Sequence, residues 1–126
     1  MKSLSPFILA LLVAGCAMSP PPRPGLLDVV ERPAEQALLA GLRAYEDAQY
    51  TDAEKQFSLA LKLGLPSPKD RAAAAKHLAF IYCTSNRLTE CEASFRAAKA
   101  ADPNFALGKS EAGHPLWGPV YKRVQP

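Results

Sequence analysis

Residues 68–103, PKDRAAAAKHLAFIYCTSNRLTECEASFRAAKAADP, decide the fold. In their first half Ala75, Leu78, Ala79 and Tyr82 recur at the three-to-four-residue spacing that places side chains on one helical face. Asn86-Arg87-Leu88 interrupts the pattern, and Cys91, Phe95 and Ala98 resume it on a second helix. Upstream, residues 33–65 repeat the layout. Pro33 suits the first position of a helix, where no backbone donor is needed. Ala37, Ala40, Gly41 and Ala44 share one face, Ala48-Gln49-Tyr50 breaks it, and Ala53, Phe57 and Ala60 share the next. A shift of 38 residues lays Thr51 on Thr89, Glu54 on Glu92, Phe57 on Phe95 and Ala60 on Ala98. Gly64-Leu65-Pro66-Ser67-Pro68 stops one unit and starts the other.

These patterns predict an all-α domain at 33–126. It holds two helix-turn-helix repeats, at about 33–65 and 68–103, and an irregular capping C-terminal segment at 104–126. Thr51-Asp52-Ala53-Glu54 and Thr89-Glu90-Cys91-Glu92 both match the capping box. In that motif the threonine oxygen accepts from a free first-turn amide and the glutamate reaches back to the threonine amide. Small residues are expected to let paired helices approach, Gly41 against Ala53 and Ala79 against Cys91, with Phe57 and Phe95 filling the space between neighbouring helices.

Leu78-Ala79, Tyr82, Leu88, Cys91, Phe95, Ala98 and Pro103 resemble the tetratricopeptide repeat, whose period is about 34 residues. The first unit departs from it at Ala44, where a tyrosine is usual. Two repeats fall short of the roughly three needed to bury a continuous core, so something must cover the apolar ends. The tail from Phe105 to Val124 carries Phe105, Leu107, Leu116, Trp117, Val120 and Tyr121, and is expected to fold back. Pro115 is read as opening a short turn that Gly118-Pro119 ends. Trp117 has two readings, as a cap of the fold or as an exposed anchor for a partner.

The N-terminus speaks to location. Lys2, the apolar run Phe7 to Val13 and the sequence Val13-Ala14-Gly15-Cys16 resemble a bacterial lipoprotein signal. That resemblance implies cleavage after residue 15, diacylglycerol on the Cys16 thiol and a periplasm-facing protein held by lipid. Ala17 in place of Asp favours the outer membrane. Palmitate-type acyl chains on Cys16 anchor stably only when two or more are present. Residues 16–32 form the lipidated, Pro-rich tether, since proline removes donors and fixes φ, and such segments extend by about 3.1 Å per residue.

Cys83 and Cys91 lie four before and four after a turn near Arg87, opposite one another in an antiparallel pair. Export to an oxidising compartment therefore predicts a disulfide. The alternative is two buried free thiols, with Cys91 standing in for the usual alanine.

Fifteen Lys and Arg against twelve Asp and Glu, without runs of either sign, argue against nucleic acid. His77 is read as solvated or partly packed and His114 as a turn residue. With no phosphate loop, Gly-x-Ser-x-Gly or metal-ligand spacing, the chain is expected to be no enzyme and to need no cofactor, metal or small-molecule substrate. The first helices would offer Leu38, Leu42, Tyr45, Lys76, Phe80 and Thr84 to a concave side. One lysine and no asparagine there leave out a carboxylate clamp. Leu38, Leu42, Tyr45, Phe80 and Trp117 are the candidate partner-binding residues.

The lipobox, the two repeats and the tail Glu111-Ala112-Gly113-His114-Pro115-Leu116-Trp117-Gly118-Pro119-Val120-Tyr121 together look like the small lipoproteins encoded with type VI secretion systems (the TssQ-type family). The resemblance implies an accessory or docking factor of an envelope-spanning apparatus, working through protein contact. The alternative is a structural envelope lipoprotein, or a pilotin-like factor stabilising a pilus or cell-wall complex.

Overall fold

The computed structural model describes residue 25 and residues 32–125. The lipobox, Cys16 and most of the Pro-rich tether lie outside the described residues. Among the described residues six helices follow one another: α1 Pro33–Glu46, α2 Tyr50–Leu63, α3 Pro68–Thr84, α4 Leu88–Ala101, α5 Lys109–Ala112 and α6 Gly118–Val124. The described residues form an all-α fold with no strand. α1 and α2 pack as one antiparallel hairpin and α3 and α4 as a second, α2 lies along α3, and α6 lies on α4.

The two sharp corners have the same construction, 38 residues apart. After α1, Ala48 turns left-handed at φ 57° and, after α3, Asn86 does so at φ 61°. The Gln49 amide donates to the Ala44 carbonyl at 2.8 Å and Ala48 to Tyr45 at 3.1 Å; Arg87 donates to Tyr82 at 2.8 Å and Asn86 to Cys83 at 3.3 Å. This is the Schellman closure, which satisfies carbonyls left open at a helix end. The next helix starts directly from it, at Tyr50 and at Leu88.

That closure overturns the capping boxes expected at Thr51 and Thr89. The N-cap positions are Gln49 and Arg87, and neither makes a side-chain cap bond. The chain leaves the left-handed residue already in position to donate and accept, so each helix begins two residues before the threonine reaches its cap position. The glutamates are used elsewhere: Glu54 receives Arg87 at 2.9 and 3.0 Å, and Glu92 receives Arg96 at 2.7 Å. Among the described residues the one side-chain cap on a long helix is at α3, where Ser67 Oγ accepts from the Asp70 amide at 3.3 Å.

Two apolar clusters carry most of the core. The first holds Leu38, Ala53, Phe57, Ala60 and Leu65 of the first hairpin and its exit, and draws in Ala74, Leu78 and Ile81 from α3. The second holds Ala79, Phe80, Cys83, Cys91 and Phe95 with Val120 and Tyr121 of the tail. Phe57 and Phe95, equivalent under the 38-residue shift, are both fully buried. A Cβ built on Gly41 would lie 2.7 Å from the Phe57 ring, so the absent side chain makes room for that ring.

The tail also departs from expectation in one respect. Gly118-Pro119 opens a helix instead of ending a turn, and that helix carries Val120 and Tyr121 inward. Proline is accommodated in a first helical turn because its missing N–H would have no partner there. Gly118 is required at this corner, since a Cβ would lie 2.5 Å from the Ala112 carbonyl oxygen.

Candidate functional site

The residues expected to meet a partner divide into those that the chain covers itself and those that it leaves open. Phe80 sits on α3, and α3 is long because its first turn is capped by Ser67 and its middle is alanine-rich. The tail closes over it. The Trp117 ring stacks on Phe80 with centroids 4.0 Å apart, and His114 stacks on the other face of Trp117 at 3.4 Å. Trp117 Nε1 donates to the Glu111 carbonyl at 2.7 Å, and Lys76 bridges to the Glu111 carboxylate at 3.0 Å. Lys76 Nζ also lies 5.7 Å from the Phe80 centroid, close enough for cation–π attraction. Farther along, Tyr121 fills the second core, and its hydroxyl accepts from the Leu107 amide at 3.0 Å.

Phe80 is therefore a core residue, 4% exposed, and not a contact for a partner. Leu38 is corrected in the same way: at 7% exposed it belongs to the first cluster, because α1 is rotated to bring Ala34, Ala37, Leu38 and Gly41 against α2. Trp117 is half-buried, with its polar atom bonded inside the chain and both ring faces covered. Leu42 and Tyr45 are half-buried and keep one side at the surface.

Tyr45 continues a column of rings between the hairpins. It meets His77 edge-on at 5.0 Å, and His77 stacks on Phe57 at 5.1 Å. His77 Nδ1 lies 2.7 Å from the Ala73 carbonyl, so Nδ1 carries the proton and donates. Burial lowers the His77 pKa from its ordinary value, with Lys76 adding to that push, while the Ala73 bond and Glu111 oppose it. Burial likewise raises the Tyr45 pKa, with Tyr50 and Glu111 reinforcing it.

Cys83 and Cys91 are joined in a disulfide with Cα atoms 5.2 Å apart, across the α3–α4 corner. Cys16 lies outside the described residues. Among the described residues no group of three His, Cys, Asp or Glu is placed to hold a metal ion, and no helix is long and apolar enough to cross a membrane.

An open groove was not foreseen. It lies between α1 and the corner before α3, with a volume of about 350 Å³, lined by Leu38, Leu39, Leu42, Pro66 and, at its rim, Arg32, Glu35, Ser67 and Asp70. Leu39 is 43% exposed there. A signal existed in the sequence, since Leu39 is a large apolar residue off the Ala37–Ala44 face. The corner that makes it a groove wall is a tertiary arrangement. No family model, curated protein or solved structure matches the chain.

Proposed function

We propose that this chain is a non-enzymatic protein-interaction module of tetratricopeptide type. It is held to the outer membrane by lipid on Cys16, faces the periplasm, and acts as an accessory or docking factor of an envelope-spanning, type VI-like secretion system. The observation that carries the interaction reading is the apolar surface on α1, where exposed Leu39 stands beside half-buried Leu42 and Tyr45, although Tyr50, Leu59, Leu63, Leu88 and Leu116 are exposed elsewhere on the scaffold. Exposed apolar surface rimmed by polar groups is the usual mark of a docking site. The residue types that would do chemistry have structural work: His77 packs between Phe57 and Tyr45, His114 covers Trp117, and Cys83 and Cys91 are bonded to each other. The disulfide suits an oxidising compartment.

Two measurements test this. Cys16→Ser is expected to abolish labelling by radioactive palmitate and to release the chain from the membrane fraction; continued labelling sinks the anchor. Crosslinking in intact cells with mass spectrometry is expected to recover subunits of one secretion apparatus. Recovery of pilus or cell-wall proteins instead would move the chain to a structural envelope role.

A further inference from the structure

The helix α2 turns Ala53, Phe57 and Ala60 inward. On its other side Lys55, Leu59, Lys62 and Leu63 fall at i, i+4, i+7 and i+8, one exposed stripe. Leu59 is 42% and Leu63 48% exposed, and among the described residues no other two large apolar side chains stand exposed one turn apart on a helix. The repeat does not require them. Under the 38-residue shift the same stripe on α4 is Ala93, Ala97, Ala100 and Ala101.

The stripe ends where the tether enters. Pro33 and Leu63 lie equally far from the Ala48 corner, so α1 begins where α2 ends, and α3 begins and α4 ends at that same end of the stack. Charge is divided along this axis. The half of the stack next to the tether carries Arg32, Lys62, Lys69, Arg71, Arg96 and Lys99 against Glu35, Asp70 and Asp102. The half at the two sharp corners carries Arg43, Lys55 and Arg87 against Glu46, Asp47, Asp52, Glu54, Glu90 and Glu92. Near the tether Arg32 pairs with Glu35, Arg71 is turned to the Leu65 and Pro66 carbonyls, and Asp102 accepts from the Asn104 amide. Lys55, Lys62, Lys69 and Lys99 make no hydrogen bond or ion pair among the described residues. Helix dipoles favour acids at the starts of α2 and α4 and bases at their ends. They leave Glu46 and Asp47 at the end of α1, and Lys69 in the first turn of α3, unexplained.

We propose that this end of the domain, with the outer face of α2, lies on an anionic phospholipid surface. The proposal rests on the reading of Cys16 as a lipid anchor and adds how the domain stands on its membrane. Leu59 and Leu63 enter the boundary between headgroups and acyl chains, Lys55 and Lys62 meet headgroup phosphates, and the acidic corners point away. Leucine and lysine on one helix face are the pattern of an interfacial helix, and each lysine near an anionic leaflet adds attraction. The chain from Cys16 to Pro33 spans at most about 60 Å, so the tether alone does not press the domain down. It holds this end close enough for a weak attraction to act at high effective concentration.

Other occupants match less of the surface. Residues 26–31 would set Asp28 and Glu31 against the lysines of α2, but six residues there leave Lys69, Arg96 and Lys99 unmatched. A second copy across a two-fold axis meets the same stripe, lysine against lysine. The outer face of a single helix is convex, and a lipid surface deforms around it where a folded partner would need a matching hollow.

The test reconstitutes the full lipidated chain into phosphatidylcholine vesicles with and without phosphatidylglycerol. An environment-sensitive dye sits on Leu63→Cys, or on Leu59→Cys if the first variant melts early, and a nitroxide quencher is carried by the lipid. With phosphatidylglycerol the emission should shift blue and be quenched several-fold more than from the same dye on Asp47→Cys. Lys55→Gln with Lys62→Gln and Lys69→Gln should remove most of that difference, and so should high salt. Equal quenching at positions 63 and 47, or none at either, overturns the proposal. A blue-shifted dye that the lipid quencher does not reach overturns it too, because residues 26–31 or a second copy then cover the face. In intact cells, a photo-crosslinker at Leu63 that captures one protein instead of phospholipid has the same consequence. Flotation reads the anchor separately: vesicles that float with the chain but leave position 63 unquenched keep the anchor and remove this face. A chain that does not float removes both.

Discussion

Ala48 and Asn86 occupy equivalent corners with the same left-handed backbone, and only one of them is suited to it. Asparagine enters that region readily, whereas a left-handed alanine carries a steric penalty of roughly 1–2 kcal/mol. Glycine relieves the clash but loses more freedom on folding. Ala48→Gly is therefore expected to stabilise the domain by about 0.5–1 kcal/mol, read as a rise in the urea midpoint. An unchanged or lower midpoint would mean that the Ala48 methyl group contributes contacts that outweigh the strain.

His77 supplies a pH dependence. Its neighbours are Tyr45 from α1, Phe57 from α2, Lys76 and Phe80 from α3, and Glu111 from the tail. Because burial lowers the folded-state pKa below the unfolded value of about 6.5, the unfolded chain binds the proton more tightly. The stability contributed by neutral His77 is present in full above pH of about 6.5 and is lost as pH falls through the folded pKa. The denaturation midpoint should fall between pH of about 7 and 5. His77→Phe retains a ring in the stack and removes the titrating nitrogen, so its profile should be flatter. Equal slopes for the two proteins would sink the account.

Among the elements, the α3–α4 hairpin is held twice, by its packing and by Cys83–Cys91. The bridge spans a sequence separation of 8, and chain-entropy reasoning assigns a loop of that size about 2.5 kcal/mol. Cys83→Ala with Cys91→Ala should lower the melting temperature by on the order of 10–20 °C in a domain of this size. The α1–α2 hairpin has no such bond and relies on Phe57 seated against Gly41. Hydrogen exchange is expected to show the second hairpin as the better protected of the two in the oxidised protein, and the difference to narrow on reduction. A reduced protein with an unaltered melting curve would show that helix packing alone sets the corner.

Across the whole molecule, the two ends of the hairpin stack are closed by different means. On α3, Ala74, Leu78 and Ile81 dock onto the first hairpin. Their equivalents on α1 under the 38-residue shift are Gln36, Ala40 and Arg43, two of them exposed and polar. That end has no face for another repeat. At the other end α6 takes the place of a following helix. Arg123 reaches Glu92 at 3.9 Å, where Arg87 reaches the equivalent Glu54 at 2.9 Å between the hairpins. Trp117, the only tryptophan, secures this closure. Full burial would put Trp117→Ala at about 3–5 kcal/mol. For a half-buried ring about 2–3 kcal/mol is expected, with a melting temperature lower by on the order of 10 °C. Its fluorescence in the isolated protein should be blue-shifted and move to water-like emission on unfolding. Water-like emission from the folded protein would return Trp117 to the partner-facing surface.

The helices themselves were legible in the chain because their periodicity is local. Alanines, Phe57 and Phe95 at three-to-four-residue spacing fall on buried faces however the helices are later arranged, and Pro33 and Pro68 open helices because of their own ring geometry. Cys83 and Cys91 could be paired from the sequence because only one tight corner separates them. The threonine caps could not be settled this way, since two closures compete within four residues and the left-handed Ala48 and Asn86 exclude the other. Leu38 and Phe80 passed for surface residues for a related reason. Periodicity tells which side of a helix is apolar, but not how far that side turns toward its neighbour or what a distant segment lays over it. Only the folding of residues 104–125 onto α3 and α4 buried Phe80 beneath Trp117. Only the path of the 64–67 corner beside α1 made Leu39, Leu42 and Asp70 into one groove, because contacts between residues far apart in sequence depend on the packing of whole helices.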